Sequence, residues 1–286
     1  MTKKAKVTIV AAVSAALLVG GCFIFFKDDI AQKKADSDIS PYRPTPEIQH
    51  ELDVISSYLM TEATTALESA PPEAVTSVVE DTAAAVLPDE IRQNLKDSAQ
   101  SLNSAYPNAI GWLYIPNTRI SYPVMPGEDN EYYLHHDFDR SRLKAGSVFL
   151  DCRCENRFMN PVNILYGHNM KNGSMFAQIT SYTTESFFEA HRYGWLSTPE
   201  TVYRIDFFAC SIVRSDDRLY NGNSPISEWI PHIYDRAVVS SGMSYSGNDR
   251  FISLSTCSYE FENARTVLTG RLVNIEEVDT IENDDN

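Results

Sequence analysis

The sequence is short of positive charge. It has 24 lysine and arginine residues against 39 aspartate and glutamate residues, so its formal net charge is −15. Such a chain has little with which to neutralise phosphates, the main source of affinity for nucleic acid. Nucleic acid is therefore not an expected partner. The chain also lacks an evident internal repeat, and 286 residues with 43% hydrophobic content predict one main domain with appendages.

A disulfide framework is also missing, although there are five cysteines. Cys210 lies in the apolar stretch "DFFACSIV", which suits a buried small hydrophobic residue. Cys152 and Cys154, in "LDCRCENRF", are two residues apart, and in a strand that separation is near the geometric limit for a disulfide. For this pair, free thiols, a metal-scavenging pair and an intermolecular bridge all remain open.

The N-terminus carries a localisation signal. Three lysines precede an apolar run over residues 7–26, which then meets "KDD". A run of this length spans the hydrocarbon core, and the lysines favour a cytoplasmic N-terminus. We therefore expect residues 1–27 to form a cytoplasmic N-terminus and a transmembrane signal anchor, single-pass, with the bulk of the chain outside the cell. The alternatives are a cleaved signal peptide, although no A-x-A site follows, and lipidation at Cys22 in "LVGGC", although the apolar run continues beyond it.

Residues 28–104 change in character. Proline occurs in "SPYRPTP", "APPE" and "LPDE", and amphipathic stretches lie between, such as "EIQHELDVISSYLMTEATTAL" and "PDEIRQNLKDSAQSLNSAY". This segment predicts a stalk followed by helices that pack on, or lead into, the main domain. At the other end of the chain, residues 276–286 form an acidic tail that we interpret as solvated surface.

Residues 105–275 consist of short apolar runs broken by Gly, Pro, Asn and Asp. Examples are "IGWLYIP", "ISYPVM", "VNILYG", "RFISLSTC" and "TVLTGRLV". Many short strands with turn residues between them indicate an all-β barrel or sandwich. The stretches "GSMFAQITSY" and "TESFFEAHRY" predict a few helical insertions.

The run that ends at Cys257 alternates like a strand, which gives it two faces. The set expected to face the core is Ile252, Leu254 and Thr256, and the set expected to face a groove is Phe251, Ser253, Ser255 and Cys257. If a hairpin turn is centred near Phe261, Cys257 lies opposite Arg265. A guanidinium there favours the thiolate and can hydrogen-bond a developing oxyanion. A register slip of one residue would instead put Arg265 on the other face.

A second chemically useful residue is His168 in "PVNILYGHNM". The alternation up to Tyr166, followed by Gly167, places the imidazole at the end of a strand, on a sheet rim. With Cys257 and Arg265 it completes a set suited to nucleophilic acyl transfer. The histidine precedes the cysteine in the chain, which is the reverse of the papain order.

These residues carry a resemblance to a known family. "LSTC" followed by Arg265, "YGHNM" upstream, and "IGWLYIPNTRISYPVMPGEDNEYYLHHDFDRSRLKAGSVFLD" resemble the class B sortases over about residues 105–275. The resemblance implies a mainly β fold, a closed eight-stranded barrel with N-terminal helices and a helix in the connection between strands six and seven. It also implies a cysteine transpeptidase that cleaves a C-terminal sorting motif of secreted proteins and transfers the acyl group, held as a thioester, to an amine.

The resemblance assigns roles to individual residues. Cys257 matches the nucleophile, His168 the general acid and base, and Arg265 the oxyanion-stabilising or substrate-positioning arginine. Ser255 and Thr256 match groove residues beside the nucleophile. The connection "SDDRLYNGNSPISEWIPHIYDRAVV" contains a predicted helix near residues 226–236. Its candidates for contacting the sorting peptide are Tyr220, Ile226, Trp229 and Ile233, and for each the alternative is that it packs the helix down.

No cofactor or metal is expected. His135 and His136, beside Asp137 and Asp139, resemble metal ligands, but adjacent side chains of an extended segment point to opposite faces, which favours a structural role.

The expected acceptor is an amine of the cell-wall peptide or of a pilin, so the alternatives are a pilin-polymerising sortase and a surface cysteine hydrolase on the same scaffold. A non-enzymatic adhesion barrel with an incidental thiol is a third. The family expectation for the sorting motif is an Asn-Pro or Ser/Pro-Pro type with Thr, which this sequence does not narrow further.

Overall fold

Helices precede the sheet in the part of the chain that the computed structural model describes, residues 30–69 and 87–275. They are α1 over residues 30–39, α2 over Pro46–Ser69 and α3 over Asp89–Ala105, with a 3-10 turn at Ser40–Tyr42 between the first two. Both amphipathic stretches expected to be helical are therefore helices. The expected anchor at residues 1–27 and the acidic tail at residues 276–286 lie outside the described residues. Over the described ranges, no helix is long and apolar enough to cross a membrane.

The sequence of α3 explains both its start and its packing. Pro88 precedes the helix, and Asp89 and Glu90 lie in the first turn, where negative charge complements the helix dipole. Its apolar residues recur every three to four positions and form one buried face, namely Ile91, Leu95, Ala99 and Leu102. This face shares a hydrophobic cluster with Trp112 and Trp195 of the sheet. The helix thus packs on the main domain, which is one of the two arrangements that the sequence left open.

Nine strands follow among the described residues. They are β1 Gly111–Tyr114, β2 Ser121–Met125, β3 Val148–Leu150, β4 Val162–Tyr166, β5 Tyr193–Ser197, β6 Val202–Arg214, β7 Ala237–Ser240, β8 Arg250–Cys257 and β9 Ala264–Asn274. Eight of them pair in the order β5-β1-β2-β3-β4-β8-β9-β6, and β6 pairs again with β5, which closes the ring. The short β7 pairs with β6 beyond the part that β5 occupies. The predicted closed eight-stranded barrel is confirmed.

Alternation along the strands fills the barrel. Ile252 and Leu254 of β8 and Leu165 of β4 point inward and lie in one buried cluster with Leu268 of β9. The same cluster includes residues of the two helical insertions, a 3-10 segment at Ala177–Thr183 and α4 at Glu185–Ala190. Both insertions were expected from the sequence. They bury Ile179, Tyr182 and Phe188 against the strands.

The connection between β6 and β7 contains a helix, α5, over Ile226–Arg236. This agrees with the predicted helix between strands six and seven. Its apolar face covers the outer surface of the barrel, where the Trp229 ring lies 5.7 Å from that of Phe251 on β8. The indole N–H of Trp229 donates to the carbonyl of Leu219 at 2.9 Å, which anchors the helix to the preceding loop. One end of the outer face is thereby covered and the other is left open.

Candidate active site

Strands β8 and β9 form a hairpin whose register brings a thiol and a guanidinium together. Cys257 pairs directly with Arg265, so the predicted opposition is confirmed. The turn is closed by the Ser258 N–H, which donates to the Ala264 carbonyl at 3.1 Å. Asn263 supplies the left-handed backbone the turn needs, with φ of 60°. Directly opposed residues share a face of the sheet, so both side chains lie on the outer face.

Cys257 is half-buried at the end of β8 and lies in a groove of about 720 Å³, hereafter the groove. The residues that line the groove include Asn130, Leu134, Arg153, Tyr166, His168, Tyr220, Ser255, Thr256, Cys257 and Arg265. All three residues expected to be catalytic therefore border one cavity. They reach it from two elements, the β8–β9 hairpin and the segment that follows β4.

His168 is held beside the cysteine strand by the parallel pairing of β4 with β8, in which Tyr166 is opposite Ser255. Gly167 lies between Tyr166 and His168 in the chain. A Cβ atom at this position would lie 2.7 Å from the Phe176 ring, so only glycine fits. The Gly167 N–H donates to the Ser255 carbonyl at 3.2 Å, and the Thr256 hydroxyl donates to the Gly167 carbonyl at 2.8 Å. These bonds fix the backbone on which the imidazole stands.

The imidazole itself has one defined partner. Its Nε2 lies 2.8 Å from the carbonyl oxygen of Leu134, and because a carbonyl only accepts, Nε2 carries the proton. In the neutral ring Nδ1 is then unprotonated and available to take a proton. The next residue, Asn169, donates its side-chain amide to the Cys257 carbonyl at 2.8 Å. The histidine segment and the end of β8 are thus directly joined.

Arg265 keeps most of its hydrogen-bonding capacity. Its Nη1 donates to the carbonyl of Ala264 at 2.9 Å. Within residues 30–69 and 87–275, no carboxylate forms a salt bridge with it. An unpaired guanidinium on the wall of a groove attracts a negatively charged oxygen, and its planar donors suit an oxyanion.

Three of the six residues expected to bind the substrate line the groove, namely Tyr220, Ser255 and Thr256. The Tyr220 hydroxyl lies 2.8 Å from the Ser255 hydroxyl, and burial raises the pKa of Tyr220 to about 12, so it remains a neutral phenol at physiological pH. Tyr220 also stacks on Tyr166 with ring centroids 6.4 Å apart. The Thr256 hydroxyl donates to the Gly167 carbonyl, so this side chain supports the backbone beside His168.

The other three residues are placed differently from the expectation. Ile226, Trp229 and Ile233 are 8%, 2% and 0% exposed and do not line the groove. They form the apolar face of α5, which packs against Phe251 and neighbouring strand residues in one cluster. The correction has a simple physical cause, because this stripe of apolar residues is what holds the helix on the barrel. These three residues therefore match the alternative given in the sequence analysis, in which they pack the helix onto the barrel.

Some residues that line the groove were not singled out from the sequence. Tyr166 could have been predicted to line the groove, because the alternation of β4 places its side chain on the outer face and it lies two residues before His168. Asn130 and Arg153 come from loops that have no periodic pattern, so nothing in the sequence marked them. Asp151, a fully buried carboxylate that binds all three of these side chains, was also missed.

The histidine- and aspartate-rich block has structural contacts. The His136 ring stacks on Tyr132 at 3.9 Å, and its Nδ1 lies 2.7 Å from the Tyr132 carbonyl. Asp137 is buried and accepts from the Phe138 N–H. The ring of His135 lies 6.3 Å from that of His168. The described ranges contain no cluster of three or more side chains suited to hold a metal ion.

The four cysteines of the described ranges, Cys152, Cys154, Cys210 and Cys257, are all free thiols, and Cys22 lies outside those ranges. Cys210 is fully buried, and burial raises its pKa to about 12, so the prediction of a buried small hydrophobic residue is confirmed. Cys152 and Cys154 lie in a turn after β3 and not in a strand, with Cys152 exposed. Cys154 approaches the Val162 carbonyl at 3.6 Å, and burial raises its pKa.

A thiol, an imidazole and an unpaired guanidinium around one groove form the set that acyl transfer through a cysteine requires. The set lies on a closed eight-stranded barrel with a helix between β6 and β7, the architecture that the resemblance to sortases implies. Comparison with known proteins identifies the family more closely.

No family model matches the chain. The sortase B of Listeria monocytogenes is 36% identical over 190 residues, which cover 64% of this chain and 76% of that protein. A Staphylococcus aureus sortase B–substrate complex superposes with a TM-score of 0.58 at 25% identity, over 63% of this chain and 86% of that one. A Streptococcus pyogenes class B sortase involved in pilus biogenesis gives a TM-score of 0.57 at 27% identity, over 61% and 97%. The chain belongs to the class B sortases and is a cysteine transpeptidase.

Proposed function

We propose that Cys257, His168 and Arg265 carry out the transpeptidation. The Cys257 thiolate attacks the scissile carbonyl carbon of a sorting motif near the C-terminus of a secreted protein. The electrons of the carbonyl bond move to its oxygen, and the Arg265 guanidinium stabilises that negative charge. When the tetrahedral intermediate collapses, the C–N bond breaks and the protonated imidazole of His168 gives its proton to the leaving amine. A thioester on Cys257 remains.

The second half reverses these roles. An acceptor amine attacks the thioester carbonyl, His168 removes a proton from it, and the Cys257 thiolate leaves as the new amide bond forms. The geometry around His168 supports this cycle, since Nε2–H is held by the Leu134 carbonyl while Nδ1 is left to exchange the proton. The observation that carries the proposal is that one groove brings these three residues together, with Cys257 and Arg265 directly opposed.

We further propose the setting in which this occurs. Residues 1–27 anchor the chain in the cell membrane with the N-terminus in the cytoplasm, residues 28–104 form the stalk and helices, residues 105–275 form the extracellular catalytic barrel, and residues 276–286 form a solvated tail. The basic and apolar pattern at the N-terminus supports the anchor. The acceptor is then an amine of the cell-wall peptide. Pilin polymerisation is the second candidate, because a similar solved structure is a class B sortase involved in pilus biogenesis.

The test incubates the full chain with a mixture of fluorogenic peptides that carry candidate motifs, with and without triglycine, and identifies products by mass spectrometry. We expect cleavage together with an amine adduct, and no product from Cys257→Ala. His168→Ala and Arg265→Ala should each lower kcat/KM by about 10²- to 10⁴-fold.

The other outcomes separate the alternatives. Cleavage without an amine adduct would indicate a cysteine hydrolase. A preference for a pilin-derived lysine peptide over a wall-derived amine would indicate pilus assembly. No product, together with a Cys257 thiol that reacts slowly with iodoacetamide near neutral pH, would contradict the proposal, because an active-site thiolate alkylates readily.

A further inference from the structure

The buried carboxylate of Asp151 holds in place three side chains that line one side of the groove. Asp151 follows β3 and is 0% exposed, and it does not itself line the groove. It accepts from Arg153 through Nε at 2.8 Å and Nη2 at 2.6 Å, and from the Tyr166 hydroxyl at 2.8 Å. The Asn130 amide adds a longer bond of 3.3 Å. The three donors, Asn130, Arg153 and Tyr166, all line the groove, and we refer to them as the donor wall.

Burying the Asp151 carboxylate destabilises the fold unless its oxygens receive hydrogen bonds. A buried carboxylate loses its hydration, and only several good hydrogen bonds offset that loss. Asp151 also accepts from the backbone N–H of Arg153 at 2.9 Å, so its oxygens are fully occupied. Burial opposes ionisation, but the bonds from Arg153 outweigh it and hold the pKa of Asp151 below its ordinary value. The carboxylate is therefore charged and its donors are fixed in place.

The charge balance indicates what this wall can bind. Arg153 is 54% exposed at its side chain, so part of its guanidinium faces the groove, but Asp151 cancels its charge. The result is a set of oriented N–H groups on Arg153 and Asn130 with no net charge, beside the Tyr166 hydroxyl, whose one proton is already donated to Asp151. Neutral oxygen acceptors such as peptide carbonyls suit this set better than a carboxylate, which would add an uncompensated negative charge. Arg265 differs in this respect, because no carboxylate of the described residues forms a salt bridge with it.

The donor wall is joined to the strand that carries the thiol. Tyr166 is opposite Ser255 in the β4–β8 pairing, and its ring stacks on Tyr220, whose hydroxyl lies 2.8 Å from that of Ser255. Ser255 is two residues before Cys257 and on the same face. A shift of Tyr166 would therefore change the position of the wall relative to the thiol.

We propose that Asp151 is a positioning residue that holds Arg153 in place to bind backbone carbonyl oxygens of the donor peptide, with Tyr166 fixed beside it, and so sets the scissile carbonyl against Cys257. The inference rests on the proposed transpeptidation and deepens it. Asp151 acts only through the donor wall, so its loss should weaken peptide binding and leave the thiol chemistry unchanged.

The chain contains a matched control. Arg204 and Asp206 are also two residues apart and form the same two-bond contact, with Nε to Oδ1 at 2.6 Å and Nη2 to Oδ2 at 2.9 Å. This pair lies on β6 and does not line the groove. Asp206→Asn therefore removes a comparable carboxylate where no substrate is expected.

The experiment compares Asp151→Asn, Arg153→Lys, their double variant and Asp206→Asn in the full chain. We expect each of the first two to raise KM for the donor peptide about tenfold, with kcat within about twofold. The double variant should resemble the single variants and not show the roughly hundredfold product, because both break one contact. Asp206→Asn should lower the unfolding midpoint and leave KM unchanged. The rate of Cys257 alkylation should be the same in all four.

A binding measurement makes the result independent of turnover. In a Cys257→Ala background, Asp151→Asn should raise the Kd of a fluorescent donor peptide about tenfold. An unchanged KM and Kd in Asp151→Asn, with only the unfolding midpoint lowered as in Asp206→Asn, would overturn the positioning role. A fall in kcat together with slower alkylation would overturn it as well. If the peptide binds in an Asp151-dependent way but the parent chain forms no product, the proposed function fails and the donor wall stands.

Discussion

Strand β8 presents one outer face along its length, yet the two ends of that face have opposite surroundings. At its start, Phe251 is fully buried under Trp229 of α5. At its end, Cys257 is half-buried and borders the groove. Between them, Ser253 and Ser255 are buried, and their hydroxyls lie within hydrogen-bond distance of Thr269 and Tyr220. Apolar contact thus gives way, along a single strand, to polar contact and then to an open thiol.

The difference shows how the barrel places the groove on its outer face. The interior is filled by inward-facing side chains such as Ile252 and Leu254, so chemistry is confined to the outer face. The helix α5 covers one end of this face and stops short of the other. We expect the covered end to contribute stability and, under the proposed function, the open end to carry the reaction, so substitutions at the two ends should have different effects.

The largest expected effect on stability comes from a substitution at the covered end. Trp229→Ala should lower the free energy of unfolding by about 3–5 kcal/mol, because it removes a large buried side chain and leaves a cavity against Phe251. Urea unfolding followed by circular dichroism measures the loss. In the fraction that remains folded, KM for the donor peptide should be close to that of the parent. A rise in KM with little loss of stability would instead support the expectation that Trp229 contacts the peptide.

The contrast between the two ends also explains what the sequence predicts well. An all-β barrel or sandwich, and a hairpin register that opposes Cys257 to Arg265, are predictable from period-two alternation and a short turn, which are local signals, whereas the closed eight-stranded barrel is implied by the family resemblance. The placement of Ile226, Trp229 and Ile233 does not follow, because an apolar stripe on a helix looks the same whether it faces a core or a ligand. The burial of Asp151 is not predictable either, since its partners Asn130 and Tyr166 come from distant parts of the chain.

A second prediction separates pH effects on the fold from effects at the open end. Asp137 is buried, and desolvation raises its pKa from 3.8 to about 7, with Asp36 and Asp38 of α1 and the adjacent Asp139 adding to the shift. Because the folded pKa lies above the unfolded value, the protonated carboxyl stabilises the fold. That stability is complete below about pH 4 and is lost as pH rises to about 7, up to about 4 kcal/mol.

Asp137→Asn should remove this dependence. The variant should match the parent near pH 4 and be the more stable of the two at pH 8, with the difference growing between these values and then levelling. Urea midpoints at half-unit pH steps measure it. Peptide KM at pH 8 should be unchanged, because Asp137 does not line the groove. A constant difference in stability across the whole pH range would show that Asp137 does not titrate as described.

The smallest expected effects come from substituting two tyrosines, one at each end of the face. Tyr220 lines the groove with its hydroxyl 2.8 Å from that of Ser255, whereas the Tyr234 hydroxyl of α5 donates to the Ser241 carbonyl at 3.1 Å away from the groove. Each Tyr→Phe change removes one hydrogen bond and should lower the free energy of unfolding by about 1 kcal/mol.

Only Tyr220→Phe should also raise KM for the donor peptide, by about two- to fivefold, because the Ser255 hydroxyl beside Cys257 then loses its partner and the stacked Tyr166 is less firmly held. Ser255→Ala removes the same bond from its other side, so the double variant Tyr220→Phe with Ser255→Ala should cost little more than either change alone. Equal KM effects from Tyr220→Phe and Tyr234→Phe would mean that peptide binding responds to the stability of the barrel as a whole. The distinction between the covered and the open end would then not hold for binding. An effect confined to Tyr220 would locate peptide recognition at the open end, within one strand of the thiol.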